Sequence, residues 1–438
     1  MKYMSYKNIV KWWLTAILVF IPFQYEIVVF IRQWNGLVAT TVSRLDEITI
    51  IVCSILAARE YYKNRDFPVC LHGFWIIPVF VFCVSGFVSG IVNSNSLLVT
   101  CHGIYDYVKY FAVIFIYGAF FREPGEFNKL FRAVLTAALF ICAVAIIEEL
   151  WALVSRYVLE SRFADTVFYY KNAEAENRWR FGIYRAPSLM AHYNQLGLYM
   201  LLIFVIYMNR YEKINIISIS LILAGIFLSM SRTIYAGLVF FMGMQIFLRK
   251  RKLRVLMLLV PLIIIVVSMS CLPDFNVWEY MTGDSGEYYT KEMIPYRVYA
   301  MGKAMEVWGD HPLLGTGPGM FGGGIADKYN SYVNSEYNVN LIMGGLDQFW
   351  PQVLAEMGMA GAVAYAGIII SIFIALFTFR RHAASGETRN ILSGVIIYLI
   401  MLIIYSLGNR LDVIDPVLFT YLAVVGIVTG IAGRCNEI

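Results

Sequence analysis

Charge is scarce in this chain of 438 residues. Asp, Glu, Lys and Arg make up 15% of it, against roughly 25% in soluble domains. With 59% hydrophobic residues and a mean hydropathy of +0.65, that scarcity excludes an ordinary soluble globule and a disordered chain. Histidine is scarcer still. His72, His102, His192, His311 and His382 are scattered, with no HExxH or comparable spacing, so no metal site is expected. The seven cysteines (Cys53, Cys70, Cys83, Cys101, Cys142, Cys271 and Cys435) also lack ligand spacing. Most lie in apolar runs and read as small core hydrophobes. The net charge of +5 is no nucleic-acid signal, because the basic residues keep to particular loops. No small-residue cleavage site follows the first apolar run, which is expected to stay as an uncleaved span.

Long apolar runs are what the chain has in abundance. A helix needs about 20 apolar residues to cross a bilayer. Spans are expected near Trp12–Ile31, Val42–Ala58, Val69–Val92, Ile104–Phe121, Ala133–Val154 and Ser188–Met208. Others follow near Ile214–Met230, Thr233–Leu248, Val255–Leu272, Phe349–Phe379, Ile391–Leu407 and Val413–Ile431. The expected fold class is therefore an all-α polytopic membrane protein of about 12 transmembrane helices, one membrane domain over residues 1–438. The tenth span is long enough to be tilted or kinked.

Lysine and arginine collect in cytoplasmic loops. More than half of the 35 basic residues fall in alternate short segments, RKRKLR (Arg249 to Arg254) among them, which reads as a topology anchor. Both termini are then expected in the cytoplasm. Two long loops, residues 155–187 and the large loop of residues 273–346 between the ninth and tenth spans, face outward.

Polar constellations gather at that outer side. The first long loop ends in NRWRFGIYRAPSLMAHYNQLGLY, which places Arg178, Arg180 and Arg185 before the sixth span, with His192 and Asn194 one and two turns into it if the helix is regular. Arginine there is costly to bury without an anion, and its planar donor fork suits phosphate oxygens; snorkelling to lipid headgroups is the alternative. Ser229, Ser231 and Arg232 lie at a tight turn between spans seven and eight. In the large loop, an amphipathic helix is expected from Pro295 to Trp308, with proline at its start and Arg297 in its first turn, where backbone N–H groups favour an anion. Asp310, His311, Pro312 and the turn Gly315-Thr316-Gly317-Pro318-Gly319 follow. No strand precedes these glycines, so they mark a compact turn and not a dinucleotide site. Phe275, Trp278, Tyr280, Trp308, Phe349 and Trp350 suit either sugar stacking or a membrane-interface belt.

Taken in order, these blocks resemble the O-antigen ligase/polymerase family of membrane glycosyltransferases, which includes ligases and Wzy-type polymerases. The matching blocks are Arg185-Ala-Pro-Ser with His192 and Asn194 behind it, the SxSR turn with Arg232, and Arg297 through His311, Pro312, Gly315, Gly317, Gly319 and Phe321. A fourth is H-[NSQ]-x9-G-x2-G, present here as Asp347-Gln348, nine residues, Gly358, two residues and Gly361. Asp347 stands where the ligases carry histidine, which turns the expectation towards a polymerase.

The resemblance implies a GT-C-like bundle in the bacterial inner membrane and transfer of a glycan from an undecaprenyl-diphosphate carrier on the outer leaflet. Its partners would be the lipid-linked oligosaccharide donor, a glycan acceptor, membrane lipid, a flippase and a chain-length regulator. No cofactor, metal or nucleic acid is implied. Arg185 and Arg297 become the expected diphosphate clamp, with Arg232 third and Arg180, His192, Asn194 and His311 as further substrate-binding candidates. Asp347 is the expected base for the acceptor hydroxyl, with Glu356 and Asp310 as substitutes. Ligase-type transfer to lipid A core, protein or a cell-wall acceptor stays open, as does a lipid-linked oligosaccharide transporter.

Overall fold

The computed structural model describes residues 5–64, 75–157, 179–180, 183–184, 186–210, 215–249, 293–339, 348–383, 385–409, 411 and 415–434. The chain divides into two compact units. Met1–Asp46 with Gly125–Tyr289 forms one, and Glu47–Pro124 with Thr290–Ile438 forms the other.

In the first unit, α1 (Tyr6–Phe20) and α2 (Gln24–Arg32) are joined by a 3-10 turn, Ile21–Phe23. Pro22 lacks the N–H that a continuous helix needs there. A short α3 (Gly36–Ser43) follows, capped by the Asn35 side chain, which accepts from the Leu37 and Val38 amides. The long α8 (Pro124–Tyr157) crosses the unit, and its first turn anchors two neighbours: Lys11 of α1 pairs with Glu126, and Arg210 donates to Asn128. Arg210 ends α9 (Tyr193–Arg210), whose residues from Gln195 to Asn209 are all buried. Helix α10 (Ile216–Leu228) lies against α8 and α9, closely enough that a Cβ on Gly225 would come within 2.7 Å of the Cys142 Sγ. Helix α11 (Arg232–Arg249) returns along α9, where Gln245 donates to the buried Asn209 side chain. A two-strand hairpin, β1 (Trp179–Arg180) and β2 (Ile183–Tyr184), precedes α9.

The second unit opens with α4 (Leu45–Asn64), all but two residues of which lie in it, then α5 (Ile76–Val92), α6 (Leu97–Val108) and α7 (Phe111–Phe120). It continues with α12 (Met293–Asp310), the short α13 (Gly324–Lys328) and α14 (Tyr332–Glu336), then α15 (Phe349–His382), α16 (Gly386–Ser406) and α17 (Asp415–Arg434). Helices α7 and α17 meet backbone to backbone. A Cβ on Gly426 would lie 2.4 Å from the Ile114 carbonyl oxygen, and one on Gly430 would lie 2.9 Å from that of Gly118. This GIVTG stripe is the small-xxx-small packing that lets apolar helices approach where no hydrophobic force separates lipid from protein.

Five described helical segments are long and apolar enough to cross a membrane: Tyr6–Arg32, Pro124–Val154, Phe349–His382, Gly386–Ser406 and Asp415–Ala432. Ile76–Val92, Phe111–Phe120 and Ile216–Leu228 are shorter apolar helices. The protein is thus helical, polytopic and membrane-embedded. The run expected as one span at Ile104–Phe121 is instead α6 and α7, broken at Lys109–Tyr110. The expected ninth span, Val255–Leu272, lies outside the described residues.

Replacing Gly426 by leucine drives a side chain into the Ile114 carbonyl, and overpacking of this kind costs about 1–3 kcal/mol. The thermal midpoint of detergent-purified Gly426→Leu is expected to fall, whereas Gly243→Leu, with open space around its Cβ position, leaves it unchanged.

Candidate functional site

The glycine turn and the long helix α15 are built as one piece. Gly358 takes φ 60° and ψ −164° and breaks α15 near its start. Those angles belong to a region that is essentially glycine's alone. The break exposes backbone groups that a regular helix would consume, and the turn after α12 uses them. The Thr316 amide donates to the Ala355 carbonyl (2.9 Å) and the Gly317 amide to that of Glu356 (2.8 Å). In return, Met359 and Ala360 donate to Pro312 and Leu313. The two chains touch so closely that a Cβ on Gly315 would come within 2.4 Å of the Glu356 carbonyl carbon, and one on Gly358 within 2.4 Å of that of Leu313.

Glu356 closes the joint. Its side chain is 1% exposed, and a buried carboxylate is tolerated when its oxygens are satisfied. Oε2 accepts from the Gly319 amide at 3.0 Å and the Tyr107 hydroxyl at 2.9 Å. Oε1 accepts from the Phe321 amide at 3.2 Å and Gln352 Nε2 at 3.3 Å. With four donors on two oxygens, the group is a latch for the turn. This corrects its expected place as a substitute base, since it is not presented to a substrate hydroxyl. From the α5–α6 connection, Asn93 and Asn95 donate to the Gly315 and Thr316 carbonyls at 2.9 and 2.7 Å. Every backbone group of Gly315–Gly317 named here thus serves structure.

Helix α12 packs on the same joint. Ala300, Ala304 and Val307 share a small core with Ala355, Phe321, Val333 and Tyr337. Arg297 lies in this helix, in its second turn and not its first, because α12 begins at Met293 and not at Pro295; its side chain lies outside the described residues. Asp310 ends α12 and accepts from the Tyr337 hydroxyl at 2.9 Å. Burial and that bond push the Tyr337 phenol up to about 12. His311 is half-buried at the start of the turn and accepts the Gly315 amide through its carbonyl. Asp347, the expected base, lies outside the described residues; Gln348, next to it, is the N-cap position of α15.

The other candidates belong to the first unit. His192 precedes α9, which begins at Tyr193, and Asn194 is the second residue of the helix, where one and two turns into it had been expected. The His192 Nδ1 accepts the Asn194 amide at 3.1 Å, so the imidazole caps the helix. Arg232 is half-buried and is the first residue of α11, and Ser231 before it accepts the Ile234 and Tyr235 amides through its carbonyl. At the left-handed Met230 (φ 46°), the turn is drawn tight by Ser229 Oγ donating to Ile226 and Tyr235 Oη donating to Phe227. Arg180 is in β1, and its side chain lies outside the described residues, as do Arg178 and Arg185 entirely. The residues around Arg185 are held from α8: Glu149 Oε1 accepts the Tyr184 amide at 3.2 Å, and Glu148 Oε2 accepts the Ser188 amide at 2.9 Å.

One cluster escaped the sequence reading. At the break between α6 and α7, Lys109 Nζ lies 3.0 Å from Asp106 Oδ1 and 3.7 Å from Asp415 Oδ2, at the start of α17. The signal was present: two opposite charges three residues apart inside an apolar run are expensive unless paired. Glu356, Glu148 and Glu149 carried a related signal, a carboxylate inside an apolar run.

Two comparisons bear on this arrangement. Residues 217–366 match a family model described as O-antigen ligase, about a third of the chain. No curated protein matches the chain.

Glu356→Ala leaves the Gly319 and Phe321 amides buried without acceptors, at a cost of about 1–3 kcal/mol each. Gly358→Ala adds backbone strain of about 1–3 kcal/mol. Both variants are expected to show lower thermal midpoints and faster proteolysis in residues 311–322 than the parent, with Glu356→Gln between them and the parent.

Proposed function

We propose, from the match of residues 217–366 to a family model described as O-antigen ligase, that the chain polymerises lipid-linked oligosaccharide repeat units. The growing glycan would pass from undecaprenyl diphosphate to an acceptor sugar hydroxyl at the outer face of the bacterial inner membrane, with both chain termini in the cytoplasm. One observation supports this most. The helix that carries Arg297 packs through Ala300, Ala304 and Val307 on Ala355 of α15, the helix that Asp347 directly precedes in sequence. That joint fixes the helix carrying Arg297 to α15.

Chemically, the sugar C1–O bond to diphosphate breaks as the acceptor oxygen attacks C1. The acceptor proton passes to the base, and the bonding electrons leave with diphosphate. Negative charge builds on the leaving group, so fixed guanidinium groups contribute most there, about 3 kcal/mol for one donor in a water-poor site. Arg185 and Arg297 are assigned that role, with Arg232 as the third cation. Asp347 is assigned the proton, since a carboxylate within reach of the hydroxyl suffices.

Two other readings have support of their own. The matched family is described as O-antigen ligase, which favours transfer to a separate acceptor such as lipid A core, protein or a cell-wall glycan. The broken helix with Asp106, Lys109 and Asp415 resembles the interrupted helices of transporters.

Purified protein in nanodiscs, given a lipid-linked single repeat as its sole glycan, separates them. Longer lipid-linked products are expected. Product only when a second acceptor is added means a ligase, and with no product from either the transporter reading survives. In the same assay Arg297→Ala and Arg185→Ala are each expected to lower chain extension about 10²–10³-fold, and Asp347→Asn about 10²–10⁴-fold. Near-normal extension by any of these removes that residue from its role.

A further inference from the structure

Helix α12 has three sides, and the core uses one. Ala300, Ala304 and Val307 face the small core on α15. Lys303, Glu306 and Asp310 form a polar side, where Lys303 pairs with Glu306 at 2.9 Å. The third side is apolar and bare. Met301 and Met305 are exposed and Trp308 is half-buried, and at 3.6 residues per turn these three positions fall on one stripe.

The stripe continues beyond α12. Trp308 Nε1 donates to the Pro312 carbonyl at 3.1 Å, and Leu313 beside it is 72% exposed. The Pro312 and Leu313 carbonyls accept the Met359 and Ala360 amides at the break in α15. From there Met359, Val363, Ile370, Ile374 and Phe377 run down α15 as exposed apolar residues, spaced to share one helical face. No charged residue occurs from Met359 to Phe379, and α15 ends in Arg380, Arg381 and His382. From Gly358 to Arg380 the helix rises about 33 Å at about 1.5 Å per residue. That matches the roughly 30 Å hydrocarbon core of a bilayer. Gly358 thus marks one edge of the hydrocarbon, and Leu313, bonded beside it, lies at that level.

We propose that α12 is an interfacial helix, with Met301, Met305, Trp308 and Leu313 set among the lipid chains of the leaflet that Gly358 borders. Its polar side, with Lys303, Glu306 and Asp310, faces water. Lipid is the cover because the stripe is continuous with the face of α15 that already meets lipid, and a helix polar on one side and apolar on another lies in the interface plane. Tryptophan suits that depth, its ring in the apolar zone and its N–H bonded. The inference stands without the polymerase reading. For any lipid-borne substrate it means that α12 is met at headgroup depth, without that substrate leaving the bilayer.

The test uses the full-length protein in nanodiscs of phosphatidylethanolamine and phosphatidylglycerol, without polyprenyl lipid. Benzoylphenylalanine replaces Met305, Leu313, Val363, Gly302 or Glu306, one at a time, all of them exposed positions. On irradiation the probes at Met305 and Leu313 are expected to gain the mass of one phospholipid, as the probe at Val363 does on α15. At Gly302 and Glu306 that adduct is lost. A second measurement needs no photoprobe. In nanodiscs of brominated phospholipid, the quenched share of tryptophan fluorescence is expected to fall in Trp308→Phe, because a lipid-facing emitter is removed; removing a water-facing one would raise it. No lipid adduct at Met305 and Leu313 beside a labelled Val363 overturns the proposal. So do crosslinks to a second copy of the chain in place of lipid, equal labelling at Glu306, or a quenched share that holds or rises in Trp308→Phe. An unlabelled Val363 overturns the lipid-facing reading of α15 and the proposal with it.

Discussion

A carboxylate buried where a helix breaks is the constraint on which the second unit depends. Helix α15 cannot continue through Gly358 with φ 60° and ψ −164°, and a broken helix in an apolar setting leaves backbone groups that must find partners. The turn at residues 312–317 supplies them in both directions, and Glu356 binds its far side through the Gly319 and Phe321 amides. The glycines of that turn are there because two backbones approach to within less than a side chain's width. Remove the latch and the turn, the asparagines that hold it and the small core beneath α12 lose their common reference.

The first unit solves a similar problem by similar means. A loop that returns towards apolar helices has to satisfy its amides, and Glu148 and Glu149 accept those of Ser188 and Tyr184. In each unit, then, carboxylates of a long helix accept main-chain amides of a neighbouring loop. Glutamate suits this work because one side chain accepts several hydrogen bonds without needing a donor in return. The arrangement fixes the main chain of each loop against its helix.

The membrane class and the helical fold were legible in the apolar runs, because a bilayer-spanning helix needs about 20 such residues and little else. The family blocks were legible too: SxSR with Arg232, the run from His311 to Phe321, and the Gly358–Gly361 spacing, since a positive-φ turn and close backbone contact restrict residue type sharply. The break at Lys109–Tyr110 was not legible, for the run Ile104–Phe121 has no proline or glycine at the break and the partner carboxylate Asp415 is some 300 residues away in sequence. Nor were the tasks of Glu356, Glu148 and Glu149. A sequence shows that a carboxylate lies in an apolar segment, but only the folded chain decides which amides reach it. His192 illustrates the same division: the sequence placed it one turn into a helix, and the tertiary structure made it the cap, because α9 starts one residue later and its Asn194 amide needed an acceptor.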